Sequence, residues 1–186
     1  MVATENLQRE GEPIGELAVL GCLSLGAFIL HMLFNGRYGY FVDELYYLAC
    51  SHHLDWGYVD QPPLIAVITW IERMTLGDSL HALRFLPAVA DGLLVFLTGL
   101  IARELGGRRY AQILACLAVI VAPLYLGLGN LLTMNAFEPL FWMGCALVAI
   151  KIIKGGSPKL WLLFGLLAGL GLENKHSMLF LSLIHI

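Results

Sequence analysis

Asp43 and Glu44 stand side by side just after a membrane-length apolar run, and Tyr46, Tyr47, Tyr58, Asp60 and Gln61 follow ahead of Pro62-Pro63. A carboxylate in such a loop can take a proton from a hydroxyl within hydrogen-bond reach, acting as a general base. Its hard oxygens can also ligate a divalent cation, a use open to Glu44. Asp43 and Glu44 taken alone, like Asp55 and Asp60, also have the plainer use of solvating a loop, and the last two can cap the turn before Pro62. His52 and His53 are adjacent, so on a helix their side chains diverge by about 100° and cannot share one metal as an i, i+4 pair does.

The elements that must carry these residues follow from the composition. The chain has 186 residues, 59% hydrophobic and 13% charged, with a mean hydropathy of +0.77, which is more apolar surface than one soluble core hides. Crossing about 30 Å of hydrocarbon as a helix takes roughly 20 apolar residues, because lipid offers the backbone no hydrogen-bond partners. Five windows approach that length: 14–34, 82–102, 110–129, 137–153 and 160–180. Asp91 interrupts the second, where it reads either as a functional group or as packing glue with a buried partner.

Basic residues set the expected orientation, since Lys and Arg in short loops stay on the cytoplasmic side. Arg103, Arg108 and Arg109 fall between the second and third windows, and Lys151, Lys154 and Lys159 between the fourth and fifth. Residues 1–13 are therefore expected as a cytoplasmic tail, 14–186 as the membrane domain and 35–81 as the first external loop. The N-terminal stretch lacks the basic region and small-residue site of a cleavable signal peptide. The four cysteines form no Cys-x-x-Cys pair, and no glycine-rich phosphate loop or basic nucleic-acid patch is present.

The 35–81 loop is too apolar to be a plain linker. The pattern predicts a helix over 44–54 with Leu45, Leu48 and Ala49 on one side, and a second over 63–75 with Leu64, Val67, Ile68 and Ile71 as its apolar face. A dozen residues is too short to span, so the second helix is expected to lie in the interface, with Trp56, Tyr58 and Trp70 at headgroup level. The irregular turn before Pro62-Pro63 should bring Asp60 and Gln61 back towards Asp43. Asn135 is expected to cap the fourth window's helix, and Gly169 and Gly171 to break the fifth and turn Lys175 towards the loop.

Asp-Glu-x-x-Tyr at 43–47 and Gly-Tyr-x-Asp-x-Pro-Pro-Leu at 57–64 resemble motifs of the dolichyl-phosphate-mannose protein mannosyltransferase-like superfamily, with its bacterial aminoarabinose-transferase branch. Leu132 to Trp142 resembles the family's second external motif, and Gly169 to Leu172 with Lys175 a third. The likeness runs from the first apolar window to the end of the chain. It implies an all-α membrane fold of the GT-C type with about five transmembrane helices and interfacial helices in the first external loop, read here as an N-terminal fragment. It also implies an inverting transfer of a sugar from a polyprenyl-phosphate donor to a protein, lipid or glycan acceptor on the extracytoplasmic face, in a bacterial inner membrane. On that pattern Asp43 is the general base and Glu44 an assisting group or ligand of a divalent metal. Tyr46, Tyr47, Tyr58, Asp60, Gln61, Arg84, Asn135, Glu138 and Lys175 are the substrate-binding candidates. The chain departs from the branch by carrying Tyr46 and Gln61 where Arg and Lys are common, so the phosphate needs another holder, with Arg84 and Lys175 as candidates. No nucleic-acid partner is expected.

A different reading is a multi-span transporter or non-catalytic subunit, with Asp91, Glu173 and Lys175 forming an ion path at midplane. The two make opposite geometric demands, since a transferase must instead gather Asp43, Glu44, Asp60, Glu138 and Lys175 at one interface.

Overall fold

The computed structural model describes residues 13–184, and among them every regular element is helical. Helix α1 (Pro13–Phe34) leads through a loop to α2 (Val42–His52) and α3 (Leu64–Leu76), then α4 (Leu80–Leu83) and α5 (Phe85–Glu104). After these come α6 (Arg109–Val121), α7 (Pro123–Leu128), α8 (Met134–Ile153), α9 (Leu160–Asn174), a 3-10 turn (His176–Met178) and α10 (Leu179–Ile184). The expected tail 1–13 lies, except for Pro13, outside the described residues.

Three stretches are long and apolar enough to cross a membrane: Gly15–Phe34, Leu80–Glu104 and Met134–Ile153. The other two expected spans are divided. Pro123 has no N–H to donate and forces Ala122 into an extended conformation (φ −68°, ψ 123°), so α6 stops and α7 starts afresh. The fifth window breaks at Lys175, whose backbone is extended (φ −160°, ψ 134°), and not at the glycines, which sit inside α9. Gly171 serves packing instead, since a Cβ there would meet Met178 Sδ at 2.9 Å where the chain folds back.

Helix α5 is the hub, packed against α1, α6 and α8, while α8 also holds α9. One core forms where α1, α5 and α6 meet, around Leu20, Ala27, Val95 and Cys116. Gly99 permits that meeting: a Cβ on it would lie 2.4 Å from Leu20 Cδ2 and 2.9 Å from Cys116 Sγ. Deeper in the same pair of helices, His31 Nε2 and Asp91 Oδ2 pair at 2.9 Å, both buried, which supplies the partner that Asp91 required.

The charged ends of the bundle are segregated. At one end Arg103 faces Glu16 at 3.8 Å, Lys154 and Lys151 face Glu104 at 3.3 and 4.0 Å, and Gln112 donates to Glu16. Both basic loops therefore share an end with the start of α1, as the sequence pattern requires. The opposite end carries α2, α3 and the motif residues.

The loop helices occur where the pattern put them, and the structure adds which polar residues they bury. Helix α2 buries Glu44, Tyr47, Cys50 and Ser51 and leaves Leu45 and Ala49 exposed. Helix α3 buries Ile65, Ala66, Thr69 and Glu72, with Ile71 exposed. Glu44 is drawn inward by Arg84 and the Leu132 N–H and Glu72 by the Leu86 N–H, while Leu48 and Ile68 pack on the core and Leu45, Ala49 and Ile71 stay exposed. That placement suits helices resting on a lipid surface.

Gly99→Val is expected to overpack the α1–α5–α6 contact and destabilise the chain by about 1–3 kcal/mol. Gly165→Val, at a site with nothing within 4 Å of a new Cβ, serves as the neutral control. Thermal unfolding in a fixed detergent reads the difference, and equal midpoints for the two variants would remove the packing role given to Gly99.

Candidate active site

Glu44 lies in the first turn of α2, where the chain has just left α1, and its side chain turns into the bundle with only 1% of its surface exposed. Arg84, at the break between α4 and α5, meets it in a two-bond fork: Nε donates to Oε1 at 2.8 Å and Nη2 to Oε2 at 2.7 Å. The peptide N–H of Phe41 donates to Oε2 at 2.8 Å and that of Leu132 to Oε1 at 2.9 Å. Burial pushes the Glu44 carboxyl up, but the donors on Arg84, Leu132 and Phe41 hold it below its ordinary value. Arg84 is fully buried, and its remaining N–H groups go to the carbonyls of Asn35, Tyr38 (3.2 Å) and Gly39 (2.8 Å).

Two expectations change here. Arg84 was a candidate for the phosphate, yet every one of its five N–H donors is already spent on the protein. Glu44 was a candidate metal ligand, yet its two oxygens already accept four hydrogen bonds. Glu44 therefore does not fit a metal, and among the described residues no group of three or more His, Cys, Asp or Glu could hold one.

Asp43, one residue earlier on the helix, points the other way. It is exposed, and its carboxylate makes no hydrogen bond or ion pair. The irregular turn does return towards it. Tyr46 Oη donates to Asp60 Oδ1 at 2.9 Å, which raises the Tyr46 hydroxyl out of the titrating range. Tyr47 is buried, and its hydroxyl is pushed up to about 12 by that burial and then by the charges of Asp43 and Asp60. Gln61 is buried too, with Nε2 3.6 Å from Cys50 Sγ. Tyr58 closes the turn: its hydroxyl lies 3.0 Å from His53 O and 3.2 Å from Cys50 O, at the end of α2.

A second cluster assembles at the same end. Lys175 Nζ donates to Glu138 Oε2 at 2.9 Å and to Asn135 Oδ1 at 2.7 Å, and Ser177 Oγ donates to the other Glu138 oxygen. Asn174 Nδ2 reaches Met134 O at 2.9 Å, fixing the end of α9 on the start of α8. Thr133, not Asn135, occupies the N-cap of α8, and Asn135 is instead a partner of Lys175. The chain segment 132–138 thus serves both clusters, through Leu132 N–H on Glu44 and through Asn135 and Glu138 on Lys175. The ion-path grouping does not form, because Asp91 pairs with His31 while Lys175 pairs with Glu138.

Sequence reasoning missed Glu72. It is fully buried on α3, and its Oε1 accepts from Leu86 N–H at 2.8 Å, capping α5 two residues beyond Arg84, while Oε2 has no partner. Burial pushes this carboxyl up to about 8, against the Leu86 hydrogen bond. The hint was a lone acid at a position whose i−3 and i−7 neighbours, Thr69 and Ile65, face inward.

Residues 60–186 match the protein family described as dolichyl-phosphate-mannose-protein mannosyltransferase. The chain belongs to that family, a class of membrane glycosyltransferases. It is similar to two curated bacterial proteins, each an undecaprenyl phosphate-alpha-4-amino-4-deoxy-L-arabinose arabinosyl transferase, from Aeromonas hydrophila subsp. hydrophila and Aeromonas salmonicida. Each is 30% identical over 129 residues, covering 67% of this chain. The match covers 23% of each relative's length, and the Asp43–Glu44 pair lies upstream of the family match. No solved structure matches the chain.

Glu44→Gln puts an amide against the donors of Arg84, Leu132 and Phe41 and leaves a buried guanidinium uncompensated. The expected cost is about 3–5 kcal/mol of stability, read as a large fall in the thermal midpoint, with an unshifted midpoint as the contrary result. Glu72 gives a pH test. Its folded value, about 8, exceeds the ordinary 4.5, so the folded state keeps the proton longer than the unfolded one. Stability from this group is then fully present below about pH 4.5 and lost as pH rises towards 8. Unfolding midpoints of the wild type should fall between pH 5 and pH 9, whereas Glu72→Gln should flatten that decline.

Proposed function

We propose that this chain supplies the catalytic loop of a membrane glycosyltransferase that moves a sugar from a polyprenyl-phosphate donor to a hydroxyl acceptor on the extracytoplasmic face, with inversion. The observation that carries the reading is the division of labour between adjacent carboxylates. Glu44 is locked to Arg84, and Asp43 is left exposed and unpaired on the same helix turn.

Asp43 takes the proton from the acceptor hydroxyl as its oxygen attacks the anomeric carbon. The carbon–oxygen bond to phosphate breaks, and the electron pair leaves with the polyprenyl phosphate. Asp60, oriented by Tyr46, and the cluster of Lys175, Glu138 and Asn135 bind sugar hydroxyls beside it, with Tyr47, Tyr58 and Gln61 shaping the loop. Glu44 and Arg84 act as positioning residues. The acceptor is a protein, lipid or glycan. The lipid-linked donor is supported by the names of the two relatives, and the pentose they carry is not transferred to this chain.

The site's end is assigned to the outer face because the opposite end carries Arg103, Arg108, Arg109, Lys151, Lys154 and Lys159. The N-terminus is then cytoplasmic and the membrane a bacterial inner membrane. Residues 14–186 form part of the transferase domain, with 35–81 as its first external loop.

Transfer from a polyprenyl-phosphate sugar, measured in membranes carrying the full-length protein, tests the reading. Asp43→Asn should lower the rate by about 10²–10⁴-fold with an unchanged unfolding midpoint, since the group is exposed and makes no bond in the fold. Transfer at wild-type rate in that variant would reject Asp43 as the base.

A further inference from the structure

Two polar side chains lie sealed deeper in the bundle than the Glu44–Arg84 fork and make no bond to it. His31, in the last turn of α1, and Asp91, on α5, are 2% and 5% exposed and meet through Nε2 and Oδ2 at 2.9 Å. We infer that these two are positioning residues for the sugar transfer: the pair sets α1, α5 and the turn at 129–132 in register and so aims Asp43 through the fork. The inference rests on the transferase reading above and names what holds its base in place.

Stability does not account for such a pair. Burying it costs desolvation that is offset only when the remaining polar atoms are filled, and apolar replacements of similar size are often as stable or more so. His31 Nδ1 is buried without a partner. The two helices also hold together without the pair, through Leu20, Ala27 and Val95 and through Ser24 Oγ, which donates to Gly92 O at 2.7 Å. What a lone polar contact adds is register, because its bond is made at one height and lost at any other, whereas apolar side chains slide.

Three lines of contact run from the pair to the fork. On α1, His31 O accepts from Asn35 N at 2.8 Å, and Asn35 O accepts in turn from Arg84 Nη1. On α5, Asp91 stands seven residues after Arg84, two turns along the same face. The third line crosses between helices. The His31 ring lies against Gly129, three residues ahead of Leu132, whose N–H donates to Glu44 Oε1 at 2.9 Å. Gly129 has an ordinary helical φ of −67°, so its missing side chain serves space and not conformation. A Cβ there would lie 2.5 Å from His31 Nε2, the atom that meets Asp91. Both long-range partners of Glu44, Arg84 and Leu132, are thus set by the pair, and Asp43 stands next to Glu44 on the same turn of α2.

The test is transfer from a polyprenyl-phosphate sugar by the full-length protein in membranes, with the unfolding midpoint read beside it. His31→Leu combined with Asp91→Leu should keep the midpoint and lower kcat about 10²-fold, the scale of a misplacement of about 1 Å, while KM for the donor holds. Asp91→Asn, which keeps an oxygen facing His31, should retain most of the rate. Gly129→Ala should lower kcat with both members of the pair in place, and Gly127→Ala, at a site with nothing within 4 Å of a new Cβ, should not. Added to Asp43→Asn, the two leucines should cost little more, because a pair that acts only through Asp43 has nothing left to aim. Wild-type transfer or a lowered midpoint in the leucine variant would each overturn the inference. So would equal losses in Asp91→Asn and Asp91→Leu, equal rates for the two glycine variants, or additive losses with Asp43→Asn. The two readings fail separately: Asp43→Asn at the wild-type rate rejects the base whatever the pair does, and full transfer in the leucine variant with transfer lost in Asp43→Asn rejects the pair alone.

Discussion

The buried fork between Glu44 and Arg84 is the constraint on which the loop end of this protein depends. Two charges taken out of water cost several kcal/mol each, and that cost is offset only when every remaining donor and acceptor is filled. Here they are filled by three pieces of chain: the turn after α1 through Asn35, Tyr38 and Gly39, the start of α2 through Phe41, and Leu132 before α8. None of these pieces can shift without stranding a buried polar group. The pair thus sets the position of α2 over the bundle, and with it the direction in which Asp43 is presented.

Around that fork the polar groups form a chain of dependencies. Leu132 ties Glu44 to the segment that enters α8, and the first turns of α8 carry Asn135 and Glu138 to Lys175. Lys175 reaches them because α9 stops there and Asn174 is bonded to Met134 O. On the other side Glu72 caps α5 at Leu86, just beyond Arg84. A helical membrane protein has few polar contacts to spend, and this one concentrates them at two ends. One end is basic and joined by Glu16 and Glu104, and the other is built around the acids of the first loop. Between them, among the described residues, His31 and Asp91 meet in a buried hydrogen-bonded pair.

Much of this was legible in the sequence, and for definable reasons. The helical class, the existence of α2 and α3, the shared side of the two basic loops and the interest of Asp43, Asp60, Glu138 and Lys175 all follow from local pattern or motif. The burial of Glu44 on α2 and of Glu72 on α3 was not legible. Apolar spacing groups Leu45, Leu48 and Ala49 on one side of α2 and does not reveal that Glu44 is buried with Tyr47 and Cys50, because it is a partner 40 residues away in sequence that makes burial of the acid favourable. Arg84 illustrates the same limit: its charge suggests a ligand, and only its neighbours reveal that each N–H is taken.

The amino-acid sequence by itself determined the solvent, the element types and the motif positions, since hydropathy, Pro123 and the spacing of charges act within a few residues of chain. The tertiary structure alone decided which of two adjacent carboxylates is sealed and which is free, and that Arg84 is spent on the protein. Those outcomes depend on pairing between groups distant in the chain, and the energy of a buried charge is set by its partners and not by its own position in the sequence.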